Sequence, residues 1–106
     1  MVDRQLESYN SHDLESFLAC YSRDVTVRDG HGEMLMSGVD AVRSEYAAWF
    51  TIHPDVHAEV TSRLQSGAWV VDVEQITMSG ETMGALVGYH VADGVIDAVL
   101  LLSEGS

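Results

Sequence analysis

The hydrophobic pattern of the chain changes its period at Pro54, the only proline in the sequence. Before this residue, apolar side chains recur every three or four positions, which is the spacing of helices with one buried face. After it, apolar and polar residues alternate, as they do in strands that bury one face. The pattern predicts an α+β domain, in which a cone-shaped, curved antiparallel sheet wraps around three N-terminal helices.

Two short helices are predicted at the N-terminus. Val2, Leu6 and Tyr9 form the apolar stripe of the first, and Asp13 is a suitable N-cap for the second. The second stripe consists of Leu14, Phe17, Leu18 and Tyr21. Each helix needs a partner surface, because helices this short are marginal in water.

A short hairpin and a third helix follow. Val25 and Val27 alternate with polar residues up to the turn at residues 29–32, and residues 34–36 are predicted to return as the second strand. The third helix begins after Gly38 and ends before Pro54. Its apolar positions are Val39, Val42, Tyr46, Trp49 and Phe50.

Four longer strands complete the predicted fold, as a meander. They cover residues 56–64, 69–77, 83–91 and 95–102, and Asp93 with Gly94 forms a strong hairpin signal between the last two. A bent sheet closed by a helix leaves a conical interior at its open end, which is suited to a small apolar molecule.

Length and charge limit the functions that the chain can have. With 106 residues, it is expected to form a single domain over residues 1–106. The net charge of −12 opposes binding to nucleic acid and to anionic membranes. This charge is interpreted either as a solvated surface or as a field that steers cationic ligands.

The sequence also indicates the compartment. Cys20 lies in an apolar run, which predicts a buried thiol, and a single cysteine cannot form an internal disulfide. No apolar run approaches the roughly 20 residues of a membrane span, and no positively charged segment precedes an apolar stretch at the N-terminus. We therefore expect a cytoplasmic protein.

The stretch YNSHDLESFLACYSRDVTVRDGHG, residues 9–32, resembles the opening of the nuclear transport factor 2-like superfamily, especially its SnoaL-like and ketosteroid isomerase-like branches. Three further stretches keep the order of the family: SGVDAVRSEYAAWF, WVVDVEQIT and DGVIDAVLLL. The resemblance implies a small cone that forms homodimers through the outer face of its sheet and has a pocket between sheet and helices. Members of the family isomerise, cyclise, dehydrate or hydrolyse small molecules without a cofactor, or serve as binding modules.

Asp29 stands where the isomerase-like members carry their general-base aspartate, at the end of the first strand. The resemblance implies that it moves a proton between carbon atoms, with a pKa raised modestly by an apolar pocket. The alternative is a turn aspartate whose carboxylate binds nearby backbone N–H groups.

The resemblance also implies groups that would stabilise an oxyanion, and here the sequence departs from the isomerases. Gln5 occupies the position of the donor tyrosine, and the position of the second acid falls near Val87. Tyr21 and Tyr46 match tyrosines that brace the donor from behind. The alternative for both is an amphipathic core residue with its hydroxyl at the pocket edge.

Asp72 and Glu74 share one face of a strong strand, so this pair is a second candidate for acid–base chemistry. Glu74 matches an acidic position of SnoaL-like members, although this chain has Val73 where a histidine often precedes it. A solvated face or an interface salt bridge is the alternative. Hydrolase or dehydratase chemistry would combine Asp72 or Glu74 with a histidine.

The histidines form no metal-binding motif, so no metal is predicted. His31 lies two residues beyond Asp29, where it would act as an acid partner or orient the carboxylate, unless it is an exposed loop residue. His90 adjoins Tyr89 on a strand, and one of the two must face inward. Trp49 and Met83 suit either a pocket wall or a dimer interface.

The presence of a void in the cone would separate the two leading functions. We predict a homodimer that binds a small apolar molecule and transfers a proton with Asp29 as base. The rival is a non-catalytic binding or assembly module, in which Trp49, Met83 and their neighbours would fill the interior.

Overall fold

A computed structural model of the chain describes residues 1–104. The helices are α1 (Val2–Asn10), α2 (Leu14–Leu18) and α3 (Val39–Ile52). The strands are β1 (Tyr21–Asp29), β2 (Met34–Ser37), β3 (His57–Ser66), β4 (Trp69–Met78), β5 (Glu81–Ala92) and β6 (Val95–Glu104). The predicted order of elements, including the short hairpin before α3 and the meander after Pro54, is confirmed.

Tyr21 departs from the prediction, because it begins β1 and does not extend the second helix. Helix α2 ends at Leu18, and Ala19 is its C-cap. The backbone is already bound to the sheet at the next residue, where the Cys20 carbonyl accepts a hydrogen bond from Ile96 N–H at 2.8 Å. Competition from the sheet thus ends the helix one turn earlier than the apolar spacing indicates.

The six strands form one sheet in the order β2-β1-β6-β5-β4-β3. The α+β class is confirmed, with one difference: β1 pairs with β6 in parallel, so that the sheet is mixed, while the other four pairings are antiparallel. Register shifts interrupt β1, β3 and the β5–β6 pairing. Such bulges bend the strands and increase their twist, which curves the sheet around the helices.

Local turn and cap chemistry follows the sequence closely. Asp93 and Gly94 have φ angles of 54° and 78°, as a two-residue hairpin turn with both central residues in the left-handed region requires. Asp13 caps α2, because its carboxylate accepts a hydrogen bond from Ser16 N–H at 3.2 Å.

The core lies between the concave face of the sheet and the helices. Phe17 of α2 is completely buried, and its ring packs 5.1 Å from that of Tyr21 and 4.7 Å from that of Tyr46, measured between centroids. Cys20 is buried, as predicted. Within residues 1–104, no helix is long and apolar enough to cross a membrane.

Candidate functional site

A cavity of 440 Å³ lies between the sheet and the helices and is partly open to solvent. Its wall is mostly apolar, and its polar groups are tyrosines, two glutamates and one glutamine. Lining residues include Gln5, Leu6, Tyr9, Tyr21, Met36, Glu45, Tyr46, Trp49, Glu74, Met78, Met83 and Tyr89. The interior of the cone is therefore not filled, although Trp49 and Met83 contribute to its wall.

Glu74 is the buried carboxyl group of this cavity. It lies in the middle of β4 opposite Ala85, which also lines the cavity, and only 6% of its surface is exposed. Tyr89 O–H donates a hydrogen bond to Glu74 Oε2 at 3.0 Å. Burial raises the pKa of the Glu74 carboxyl, the Tyr89 hydrogen bond opposes this rise, and the nearby charge of Asp72 adds to it.

Asp72 shares the inward face of β4 with Glu74, but its hydrogen-bond partner is an arginine and not a tyrosine. Its side chain is 1% exposed and receives two hydrogen bonds from Arg63, from Nε at 2.7 Å and from Nη2 at 2.9 Å. Arg63 also binds Asp3 of α1 at 2.7 Å. Asp72 is thus an ion-paired structural acid that ties β4 to β3, and it does not line the cavity.

Tyrosine hydroxyls are a further part of the polar lining. Gln5 Nε2 donates to the Tyr21 hydroxyl oxygen at 3.0 Å, and Trp49 Nε1 donates to that of Tyr9 at 2.8 Å. Burial raises the pKa values of Tyr21 and Tyr46 above the usual range, so both phenols stay neutral and can donate.

Asp29 lies apart from these polar groups of the cavity. It is the last residue of β1, and its Oδ1 accepts hydrogen bonds from His31 N–H at 2.8 Å and from Glu33 N–H at 3.0 Å. These backbone donors lower the pKa of the Asp29 carboxyl, so the expected upward shift is wrong. Asp29 does not line the cavity. The geometry is that of the alternative interpretation, a turn aspartate.

The two histidines considered for catalysis are also separate from the cavity. His31 is exposed in the loop after Asp29. His90 lies on the outer face of β5, where its ring packs against Trp69 and its Nδ1 is 2.6 Å from Asp97 Oδ1. The inward residue of the pair is Tyr89, so the idea that His90 projects into the cavity is wrong. Within the described residues, no group of three or more His, Cys, Asp or Glu side chains is arranged to hold a metal ion.

The structure thus brings together Gln5, Tyr21, Tyr46, Glu74 and their predicted wall residues, and it leaves out Asp29 and both histidines. Sequence reasoning did not select Tyr9 and Tyr89 as site residues. A signal for Tyr89 exists in the alternation of β5, because Val87 and Tyr89 share a face. The hydrogen bond between Tyr89 and Glu74 depends on a pairing register that the sequence alone does not reveal.

A match to a family model assigns this conical α+β domain to the nuclear transport factor 2-like class. Residues 2–99 match the model of the SnoaL-like domain, and the chain belongs to this family. No sequence among curated proteins matches it.

Solved structures share the fold at low sequence identity. An uncharacterised cystatin-fold protein from Novosphingobium aromaticivorans is 21% identical, with a TM-score of 0.85 over 93% of this chain and 92% of that one. A proposed polyketide cyclase from Sinorhizobium meliloti is 17% identical, with a TM-score of 0.81 over 93% and 90%. A proposed ketosteroid isomerase from Kribbella flavida is 20% identical, with a TM-score of 0.80 over 95% and 73%. These similarities concern the fold.

Proposed function

We propose that the protein binds a small, mostly apolar molecule in its cavity and transfers a proton to or from it, with Glu74 as the acid–base group and without a cofactor. One observation carries this proposal: Glu74 is a buried carboxyl that lines the cavity and has a tyrosine, not a cation, as its hydrogen-bond partner. The names of the cyclase and isomerase relatives are consistent with this kind of chemistry.

The environment of Glu74 makes its carboxylate a stronger base than a glutamate in water. A glutamate in water has a pKa of about 4.3 and is a weak base at neutral pH. Burial raises the pKa of Glu74, which strengthens the carboxylate as a base. Tyr89 holds one oxygen by its hydrogen bond, so the carboxyl group has a fixed orientation.

Isotope exchange tests the proposal without knowledge of the natural substrate. A panel of unsaturated ketones in deuterium oxide would be followed by NMR for exchange of the hydrogens next to the carbonyl. We expect the protein to accelerate exchange for ketones that fit the cavity, and Glu74→Gln to abolish the acceleration. Binding of these ketones without exchange would instead support the non-catalytic binding module.

The other sequence-based mechanisms have less support. Asp29 as the base would need its carboxylate to leave two backbone N–H groups and reach the cavity. A hydrolase or dehydratase would need a histidine beside Asp72 or Glu74, and His31 and His90 both lie elsewhere. Asp72 is moreover held by Arg63.

A homodimer through the outer face of the sheet is the second part of the proposal. Leu64, Val73 and Leu102 are 71%, 42% and 37% exposed. Gly88 of β5 has no side chain, and the side chains of Trp69 from β4 and Leu102 from β6 lie over it, within 3.8 Å of the position that a Cβ atom would take. The apolar surface is therefore continuous across β4, β5 and β6. A second copy of the chain would cover this apolar surface. We also propose that the protein is cytoplasmic.

Sedimentation velocity tests the dimer. We expect the protein to sediment as a dimer and Val73→Arg to sediment as a folded monomer, because an unpaired charge would be buried in the interface. Ser44→Arg, an exposed change on α3 away from the outer face of the sheet, is the matched control and should leave the dimer intact. A monomeric unmodified protein would disprove the proposed dimer.

A further inference from the structure

The tyrosine hydroxyls of the cavity differ in whether their hydrogen atoms are already used. Tyr89 donates its hydrogen to Glu74, so it has none left for a ligand. Tyr21 accepts a hydrogen bond from Gln5 Nε2 at 3.0 Å, and its own hydrogen is left to donate. Tyr9 likewise accepts from Trp49 Nε1 at 2.8 Å, but its ring centroid lies 6.0 Å from that of Phe17, farther than those of Tyr21 and Tyr46. The hydroxyl of Tyr46 makes no hydrogen bond to any group in residues 1–104, although its side chain lines the cavity.

The rings of Tyr21 and Tyr46 are fixed by one buried side chain. Both pack on Phe17, at centroid distances of 5.1 Å and 4.7 Å, and Phe17 is completely buried. Two donors held by a rigid wall are preorganised for an acceptor in the cavity.

We infer that Tyr21 and Tyr46 donate hydrogen bonds to the ligand oxygen on which negative charge develops, and that Gln5 is a positioning residue that keeps the Tyr21 hydroxyl in the donor role. The inference rests on the proposed function, because it names the groups that act with Glu74. It reverses the roles implied by the resemblance to the isomerases, in which the position of Gln5 supplies the donor and the two tyrosines support it.

The donors also indicate the class of ligand. No arginine or histidine lines the cavity among the described residues, and the acids that line it are Glu45 and Glu74. A carboxylate or phosphate would therefore lack a cationic partner. A carbonyl or acidic hydroxyl on an apolar body fits better, because neutral donors suit an oxygen that is uncharged on entry and gains charge during proton transfer.

A bound phenol reports on these donors without any turnover. We would use 4-nitrophenol, whose ionised form absorbs visible light, and measure its pKa in the cavity by spectrophotometric titration. Hydrogen bonds to the phenolate should lower the pKa of the bound probe. We expect Tyr21→Phe and Tyr46→Phe each to raise it again by about one unit, the size of a hydrogen bond to a charged group.

Substitutions of Gln5 test its positioning role. A glutamate has the same shape but only accepts hydrogen bonds when ionised, so Tyr21 would donate to it and lose its hydrogen for the ligand. Gln5→Glu should therefore raise the pKa of the bound probe, and Gln5→Leu should raise it less. In the Tyr21→Phe background, Gln5→Glu should have almost no further effect, whereas a direct effect of the new charge would persist.

Several outcomes would overturn the inference. They are failure of the probe to bind to the unmodified protein, an unchanged probe pKa on binding, and an unaltered probe pKa in both Tyr21→Phe and Tyr46→Phe. An unchanged or lower probe pKa in Gln5→Glu would show that Tyr21 does not donate to the ligand. Glu74→Gln separates the two proposals: it should stop isotope exchange while the tyrosines still shift the probe. Circular dichroism verifies the fold of each variant.

Discussion

Glu74 and Asp29 are two carboxyl groups on the same face of one sheet, yet they have opposite environments. Glu74 pairs with Ala85 and Asp29 with Leu101, and both partners line the cavity. Glu74 lies in the middle of its strand, where burial raises the pKa of its carboxyl. Asp29 ends its strand, where the turn supplies backbone N–H groups that lower its pKa.

The difference shows that position along a strand determines the chemistry of an acid as much as the face it lies on. A carboxylate at a strand end finds the unpaired N–H groups of the following turn, and these stabilise its charged form. A carboxyl in the middle of a covered strand finds apolar neighbours and loses water. Of the two environments, only the second raises the pKa of the carboxyl group.

The largest expected effect is the difference in proton-transfer rate between two matched amide variants, Glu74→Gln and Asp29→Asn. Glu74→Gln should lower the rate of ketone isotope exchange by about 100-fold or more, the usual contribution of a positioned acid–base group. Asp29→Asn should leave the rate almost unchanged, because the side chain does not line the cavity. A large loss in Asp29→Asn, with retained activity in Glu74→Gln, would reverse the assignment.

Asp72 sharpens the comparison, because it is more buried than Glu74 and has a cationic partner. Arg63→Met would leave the Asp72 charge unpaired in the interior, and the free energy of unfolding should fall by about 3 kcal/mol. Urea denaturation would measure this fall. Arg43→Met is the matched control, since Arg43 pairs with Glu15 at the exposed surface and its loss should be hard to detect.

An equal loss of unfolding free energy in Arg63→Met and Arg43→Met would indicate that the buried Asp72 pair contributes no more to stability than the exposed Glu15 pair. A double variant provides a second test. Asp72→Asn should recover part of the stability lost in Arg63→Met, because it removes the charge that has become unpaired.

The sequence predicted the fold well because period and turn chemistry are local. The change of period at Pro54 and the Asp93-Gly94 turn both correspond to observed boundaries. The parallel pairing of β1 with β6 was not predicted, since it joins residues about 70 positions apart and leaves no periodic signal.

The site was only partly predicted, because its chemistry depends on environment. Glu74, Tyr21 and Tyr46 were recognised as candidates, but nothing in their spacing distinguishes a buried carboxyl from a solvated one. Asp29 received the leading role from a motif position. Its two hydrogen bonds to His31 and Glu33 depend on the exact course of the turn.

The pH dependence of stability provides a test of Glu74 with a defined sign. Its pKa in the folded protein lies above that in the unfolded chain, so folding favours the protonated form. The stabilisation is complete below the unfolded pKa, about 4.3, and is lost as the pH rises through the folded pKa. Each unit of separation corresponds to about 1.4 kcal/mol.

Glu74→Gln removes this titration while keeping the shape of the side chain. The unfolding free energy of the unmodified protein should therefore fall relative to that of Glu74→Gln as the pH is raised from 4 towards 8, in about the range where carboxyl groups with raised pKa values titrate. Parallel curves for the two proteins would mean that the pKa of Glu74 is not raised.

The smallest effect is expected for Asp29, and it should have the opposite sign. Its pKa is lower in the folded protein, so its contribution to stability is present above the unfolded pKa, about 3.9, and is lost as the pH falls through the folded pKa. Asp29→Asn should be slightly less stable than the unmodified protein near pH 6, and the difference should vanish in acid. Asp24→Asn, an exposed change on the same strand, controls for the loss of one negative charge. A difference that grows in acid would indicate that the turn favours the protonated form of Asp29, and the contrast between the two carboxyl groups would then be lost.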